Sequence, residues 1–297
     1  MNGLSLRVPS PLEELNDERA SRNGVRLFLK RDDLIHPELV GNKWRKLRLN
    51  LAAAREQGHT RLLTFGGAYS NHIAAMAAAG HHFGLDTVGV IRGEPHVPLN
   101  DVLAFAAGRG MELTYLDRST YRRKTDAEVL DRFRAEFGDF YLVPEGGSNA
   151  LAVQGCAEVP AEIAIEFDAI CCACGTGGTL AGIAGGLLAN QRAVGFSALK
   201  GGDFLAGDVE RLQREAFGVA SSNWTVRTEF HFGGFAKRPR ELDAFIDDFE
   251  ARHGLRLEWV YVAKMMYGVF ALIERGFFAR GERIVAVVTG ASQSFEP

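Results

Sequence analysis

The chain has only four cysteines among 297 residues, all between Cys156 and Cys174, and this scarcity argues against a metal-held or disulfide-held fold. Structural zinc needs two ligand pairs set about two to four residues apart so that four ligands converge. Here Cys171, Cys172 and Cys174 occupy adjacent and alternate positions of one apolar run. They read as small buried hydrophobes in a reducing compartment. Surplus positive charge is also missing: the formal net charge is −3, so there is no electrostatic footprint for nucleic acid. No apolar run reaches the roughly 18 residues of a membrane span. The opening MNGLSLRVPSPLEEL lacks a basic segment followed by an apolar one, and a cytoplasmic protein without a membrane partner is expected. No fixed-period repeat, low-complexity tract or long linker divides the chain.

What is present is ordinary globular composition, 46% hydrophobic and 24% charged, at a length that suits about two domains. Strand and helix patterns alternate. Strands are expected at 27–29, 61–65, 87–91, 112–116, 169–173, 193–199 and 284–288, with 225–230 completing the pattern. Helices are expected at 43–57, 71–83, 100–109, 180–189, 202–217, 240–252 and 263–275. Short glycine-containing links join them, as in parallel sheets with helices on their faces. The charge-rich stretch 117–136 reads as a solvated helical segment.

Three motifs carry chemistry. Cys174-Gly175-Thr176-Gly177-Gly178-Thr179-Leu180 lies between an apolar strand and a helix start. Its backbone can turn tightly and aim unpaired N–H groups at one anion, although a plain strand-to-helix turn uses the same glycines. A nucleotide P-loop would require Gly-Lys-Ser/Thr after the glycines, and a dinucleotide fingerprint would want glycine where Leu180 stands. A small phosphoester is the better ligand. Lys43, in Gly41-Asn42-Lys43-Trp44-Arg45-Lys46-Leu47, reads alone as a surface charge. Crowding by Arg45 and Lys46, with Trp44 excluding water, would lower its proton affinity and make it a nucleophilic amine. Ser70 reads either as a helix N-cap or as a reactive hydroxyl; a nucleophile elbow would need glycine where His72 stands.

Together, GNKWRKL, GGAYSNH, the glycine loop and the stretch Val260 to Gly268 resemble the pyridoxal-phosphate enzymes that include D-cysteine desulfhydrase and 1-aminocyclopropane-1-carboxylate deaminase. The resemblance spans about Arg31 to Thr289. It implies an α/β, fold-type-II enzyme of two open domains with parallel-rich twisted sheets and the active site between them. Residues 1–49 and 156–297 would form the large cofactor domain and 50–155 the small one, in a homodimer. Pyridoxal 5′-phosphate is the implied cofactor, with no metal. The resemblance places Lys43, Ser70 and Tyr261 in catalysis, Lys43 carrying the cofactor as a Schiff base and later acting as the base. Asn71 would bond the ring hydroxyl. Cys174, Gly175, Thr176, Gly177, Gly178 and Thr179 would hold the phosphate, with Tyr261 against the ring and Thr289 near its nitrogen. Ser70, Asn71 and His72 would contact a small amino-acid substrate.

The substrate turns on a few positions. In the deaminase pattern glutamate follows the ring-facing tyrosine, whereas this chain has Val262 there and Thr289 before Gly290. A neutral hydroxyl weakens the electron sink and suits loss of a good leaving group, so β-elimination from D-cysteine, giving pyruvate, sulfide and ammonia, is the expected reaction. Opening of aminocyclopropane carboxylate is the alternative. Val262, Phe235 in place of a family tyrosine, and Ala291 in place of a glycine also leave open a cofactor carrier or sensor with little turnover. A nucleotide-binding oxidoreductase rests on the glycine loop alone. Tyr69 reads as an active-site cover or an exposed aromatic, 145–149 as a hinge or a capped turn. His81, His82 and His96 read as surface or satisfied core histidines.

Overall fold

Apolar runs of Val, Ile, Leu, Phe and Cys build two separate sheets. The computed structural model describes residues 4–39, 41–95 and 97–290, so His96 and Ala291 lie outside the described residues. Strands β1 (Leu12–Leu15), β2 (Arg26–Lys30), β7 (Ala169–Cys174), β8 (Arg192–Ser197), β9 (Trp224–Arg227) and β10 (Arg283–Val287) form one sheet in the order β1-β2-β10-β7-β8-β9. Strands β3 (Arg61–Gly66), β4 (Asp86–Arg92), β5 (Met111–Leu116) and β6 (Tyr141–Val143) form the other, in the order β5-β4-β3-β6. Among the described residues, β1 pairs antiparallel with β2 and the remaining ladders are parallel.

Parallel strands are covered on both faces, which is why they read as unbroken apolar runs. In β7 all six residues are buried, and the cysteines divide between the faces. Cys171 packs with Phe196 and the helix Val262–Glu274, while Cys172 and Cys174 pack with the helices Gly178–Gly185 and Leu205–Phe217. All four thiols are free and buried, as expected of small hydrophobes. On the other sheet the helix Asn71–Phe83 buries a run of alanines against Leu62 and Ile91. The opposite face holds a correction to the sequence reading. Residues 117–136 are helical and mostly exposed, as expected, but they form two helices, Arg118–Tyr121 and Ala127–Phe137, with a buried face in which Tyr121, Val129, Phe133 and Phe137 pack on Phe65 and Val88. The expected helix at 180–189 starts earlier and ends at Gly185.

One helix ties the two sheets together. Asn42–Glu56 lies against Ala150–Cys156 so closely that a β-carbon on Gly155 would sit 2.1 Å from the Arg45 carbonyl oxygen. At its far end Asn50 exchanges amide hydrogen bonds with Asn149 at 2.7 and 3.2 Å and accepts one from the Tyr141 hydroxyl at 3.3 Å. At its near end Arg45, 3% exposed, makes two-pronged contacts with Asp32 and Glu162, all between 2.7 and 2.9 Å. Lys30, wholly buried, completes the network with Glu162 Oε2 at 2.9 Å and the Ser10 carbonyl at 2.6 Å. Burial would raise the Glu162 carboxyl, but Arg45 and Lys30 outweigh it and hold it at about 2. Two cations and two anions thus compensate one another out of water, and loss of one partner would leave an unpaired buried charge.

Candidate active site

Gly41 places Lys43. It precedes the helix Asn42–Glu56 at φ +53° and ψ −131°, and a β-carbon there would lie 1.5 Å from the Thr289 carbonyl oxygen. Only glycine allows the helix start to run so close to the chain leaving β10. Lys43 therefore stands beyond the C-terminal end of β10, and the glycine loop leaves the C-terminal end of its neighbour β7. Open α/β sheets bind their ligands at that edge.

The glycine loop presents the start of the helix Gly178–Gly185, whose first amides have no intrahelical acceptor. Its side chains are already braced. Thr176 Oγ1 is 2.6 Å from Ser148 Oγ, and Thr179 Oγ1 accepts from Asn42 Nδ2 at 2.7 Å. Lys46 Nζ donates to the Gly146 carbonyl at 3.1 Å and to Ser148 Oγ at 3.3 Å. A β-carbon on Gly178 would meet Ser148 Oγ at 2.8 Å and Lys46 Nζ at 3.2 Å, so this ammonium lies beside the first helical residue of the loop. Sequence reasoning missed Ser148 and the position of Lys46 at the loop. The available signal was spacing, since residues three apart share a helix face. Residues 145–149 prove to be a short turn, Glu145–Gly147, followed by Asn149, whose side chain accepts from Ala152 N.

Lys43 is half-buried, and its amine falls to about 7 because burial disfavours the ammonium and Lys46 adds like-charge repulsion. Two parts of the sequence expectation are corrected here. Arg45 does not crowd Lys43 but turns into the network with Asp32 and Glu162. Trp44 does not shield it either: its ring stacks on Phe83 at 5.9 Å in the core on the far side of the helix.

Tyr261 lies against the loop, its ring carbon 3.1 Å from where a Gly175 β-carbon would be, and Phe235 meets it edge-on at 6.0 Å. Burial, with the negative charges of Glu258 and Glu145, pushes the phenol up, so it remains a hydrogen-bond donor at neutral pH. The Glu258 carboxylate accepts from the backbone N–H groups of Val260, Tyr261 and Val262 at 2.6, 2.8 and 3.4 Å, which fixes the start of the helix bearing the tyrosine. Val262 is wholly buried in the core and offers no side chain to the site. Buried Lys264 donates to the Gly234 carbonyl at 2.7 Å and so pins the loop that carries Phe235.

The opposite edge comes from the start of Asn71–Phe83. Ser70 occupies the N-cap position, yet its side chain makes no cap hydrogen bond, contrary to the plain N-cap reading. Asn71 is half-buried, and its amide has no protein partner among the described residues. His72 is 2% exposed, with Nε2 2.8 Å from Thr64 Oγ1 and Nδ1 unpaired. Tyr69 is 69% exposed, and His81 and His82 are on the surface, His82 Nε2 2.9 Å from Glu38.

A phosphorylated pyridine aldehyde needs an amine that is neutral near physiological pH, an anion cradle and an aromatic wall. Lys43, the Gly175–Thr179 loop with Lys46, and Tyr261 supply these. The absence of β-carbons at Gly175 and Gly178 lets the Tyr261 ring, Ser148 and Lys46 close up against the loop. No group of three or more His, Cys, Asp or Glu able to hold a metal occurs among the described residues, and no described helix is long and apolar enough to cross a membrane.

Comparison with known proteins matches residues 5–290 to the family model described as pyridoxal-phosphate dependent enzyme. A Pyrococcus horikoshii protein, named provisionally as a 1-aminocyclopropane-1-carboxylate deaminase, is 31% identical over 90% of this chain and 85% of its own. An Arabidopsis thaliana mitochondrial protein named bifunctional D-cysteine desulfhydrase/1-aminocyclopropane-1-carboxylate deaminase is 29% identical over 95% of this chain and 76% of its own. A crystal structure described as an ACC deaminase homologue superposes with a TM-score of 0.84 at 29% identity, covering 95% of this chain and 89% of that one.

Proposed function

The chain belongs to the pyridoxal-phosphate dependent enzymes, and on that premise we propose that it converts D-cysteine and water to pyruvate, hydrogen sulfide and ammonia. When bound, the cofactor supplies the electron sink for carbanion chemistry. The protein supplies the rest. Lys43, with its lowered proton affinity, takes up the α-proton at Nζ near neutral pH. The Ser70 hydroxyl and the Asn71 amide, free of protein partners, orient the substrate carboxylate and the cofactor's ring hydroxyl. The helix start at Gly178 and the Lys46 ammonium hold the phosphate, and Tyr261 closes one face of the ring. Residues 50–155, which contain the four-stranded sheet, would move as the smaller domain.

The observation that carries the choice of substrate is the state of the carboxylates near Tyr261. Both oxygens of Glu258 are engaged by backbone N–H groups, and Glu145 pairs with Lys124 at 3.1 Å. Backbone N–H groups and Lys124 already occupy these two carboxyl groups, and Thr289, beside Gly41, offers only a neutral hydroxyl. A weak sink favours expulsion of thiolate. The names and fold of the relatives favour 1-aminocyclopropane-1-carboxylate as a second reading.

Holoenzyme supplied separately with D-cysteine and with aminocyclopropane carboxylate tests this. Sulfide and pyruvate in equal amounts from the first support the proposal. 2-Oxobutyrate from the second alone replaces it with the deaminase, and no product from either leaves a carrier or sensor.

A further inference from the structure

Among the described residues the only non-glycine positions with left-handed backbone are Phe232 and Ala236, at φ +53° and +52°. They flank Gly233 and Gly234, at φ +91° and +119°, in the loop between β9 and the helix Arg240–His253. A left-handed phenylalanine or alanine is strained and persists only where its surroundings over-determine it. Here they do. The Gly233 N–H donates to His231 Nδ1 at 2.9 Å and the Gly234 N–H to the His231 carbonyl at 3.0 Å, while the Phe232 ring meets Tyr267 edge-on at 4.8 Å. The Gly234 carbonyl accepts twice, from the Lys237 N–H at 3.2 Å and from Lys264 Nζ at 2.7 Å. A β-carbon on Gly234 would stand 3.3 Å from that of Lys200, so the loop is closed on a third side.

Lys264 is the unusual member of this set. It is buried on a helix where Val262, Ala263, Met265 and Met266 are wholly buried too. Placing an amine there is unfavourable, and burial lowers it to about 8. Methionine has a similar length and would fill the space without that cost. What methionine cannot do is donate, and the acceptor that Lys264 reaches is the residue before Phe235. The Phe235 ring is exposed on the core side of nothing but Tyr261, which it meets at 6.0 Å, and Tyr261 in turn lies against Gly175 of the glycine loop. A chain of contacts thus runs from the buried amine through the strained loop to the aromatic wall of the site. A phenyl ring has no hydrogen bond to offer a ligand and acts there by occupying space.

We propose that Lys264 is a positioning residue: its hydrogen bond to the Gly234 carbonyl holds Phe235 against Tyr261, and the phenyl ring so placed limits the size of the amino-acid side chain that the site accepts. The proposal rests on the cofactor site and the elimination reaction proposed above.

Holoenzyme with protonated Phe and Tyr rings in a deuterated background tests the positioning directly. A nuclear Overhauser effect between the Phe235 and Tyr261 rings, assigned by its loss in Phe235→Ala, should be present in the parent and absent in Lys264→Met, which removes the donor and keeps the length. The same effect in both proteins overturns the role of Lys264. Size selection is read from the ratio of kcat/KM for S-benzyl-D-cysteine to that for D-cysteine, with pyruvate measured from both; the first compound releases benzyl thiol in place of sulfide. A ratio taken within one preparation is indifferent to how much of the protein is folded. It should rise about tenfold in Phe235→Ala and by a similar factor in Lys264→Met. The double variant should rise no further, because both changes take the ring from the same place. An unchanged ratio in Phe235→Ala overturns the size limit even where Lys264→Met fails to fold, and factors that multiply in the double variant mean that Lys264 does not act through Phe235. If neither compound yields pyruvate, the D-cysteine reading fails, and the ratio is taken instead from the concentrations at which each compound shifts the visible band of the cofactor.

Discussion

The two edges of the site differ in how far their polar side chains are satisfied by the protein itself. At the glycine loop, Asn42 is bonded to Thr179, Ser148 to Thr176, and Lys46 to Gly146 and Ser148, while nearby Glu258 spends its carboxylate on three backbone amides. At the start of Asn71–Phe83 the Ser70 hydroxyl caps nothing, the Asn71 amide is unpaired and His72 Nδ1 is an orphan. On the proposed function, the first edge suits a group that stays, with its geometry fixed in advance. The second keeps its hydrogen-bonding capacity for groups that arrive and leave, and preorganisation there extends only to the backbone.

If that contrast is right, substitutions behind the first edge should cost stability and those on the second should cost activity alone. The largest stability effect is expected at Arg45, which anchors the helix carrying Lys43. Arg45→Met strips buried Asp32 of its cation and leaves Glu162 with Lys30 alone, and should destabilise by about 3–5 kcal/mol in urea unfolding; a loss below about 1 kcal/mol would mean that water already screens the network. Next comes Asn42→Ala, which removes a buried donor to Thr179 and should cost about 1–3 kcal/mol while weakening cofactor retention on dialysis.

The pH dependence is more modest. The Lys43 amine is lowered from 10.5 to about 7, so capture of pyridoxal phosphate by cofactor-free protein should fall about tenfold per unit below pH 7 and level off above it. The sign for stability runs the same way. Between about 7 and 10.5 the unfolded chain holds a proton that the folded one has released, so this lysine's burial cost is full below 7 and relieved as the pH rises. Capture that is flat across pH 6 to 8 would contradict the lowered value. The smallest stability change belongs to Ser70→Ala, within about 0.5 kcal/mol of the parent because no protein bond is lost, yet its kcat/KM should drop. A destabilised Ser70→Ala would show that the hydroxyl is engaged after all.

Much of this was legible in the residue order because parallel strands with both faces covered write long apolar runs. β7 and β10 are buried along nearly their whole length, and the helices around them end at glycines. Strands β1 and β6 were not legible. They have four and three residues, β1 exposes its two central side chains, and such segments show no period. Residues 117–136 were legible as helical but not as packed: charge dominates their composition, while Tyr121, Val129 and Phe133, with Phe137 just beyond, carry the buried face. At the site, Lys43, the glycine loop and Tyr261 could be placed by motif. Lys46, Ser148 and Glu258 could not, because their roles depend on which carbonyls, hydroxyls and amides lie within reach after folding. The same holds for Arg45, a neighbour of Lys43 in sequence that points to the other side of the helix.

Three buried or half-buried lysines, Lys43, Lys46 and Lys264, have lowered proton affinity, and Lys264 falls to about 8 through burial. Any of them could capture an aldehyde on basicity alone, and the account assigns that role to Lys43 by geometry. Reconstituting the protein with pyridoxal phosphate, reducing with borohydride and mapping the labelled peptide separates them. The account predicts one pyridoxyl group per chain, on Lys43, absent together with the visible absorption band in Lys43→Ala. A label on Lys46 or Lys264, or a band that survives in Lys43→Ala, would contradict it.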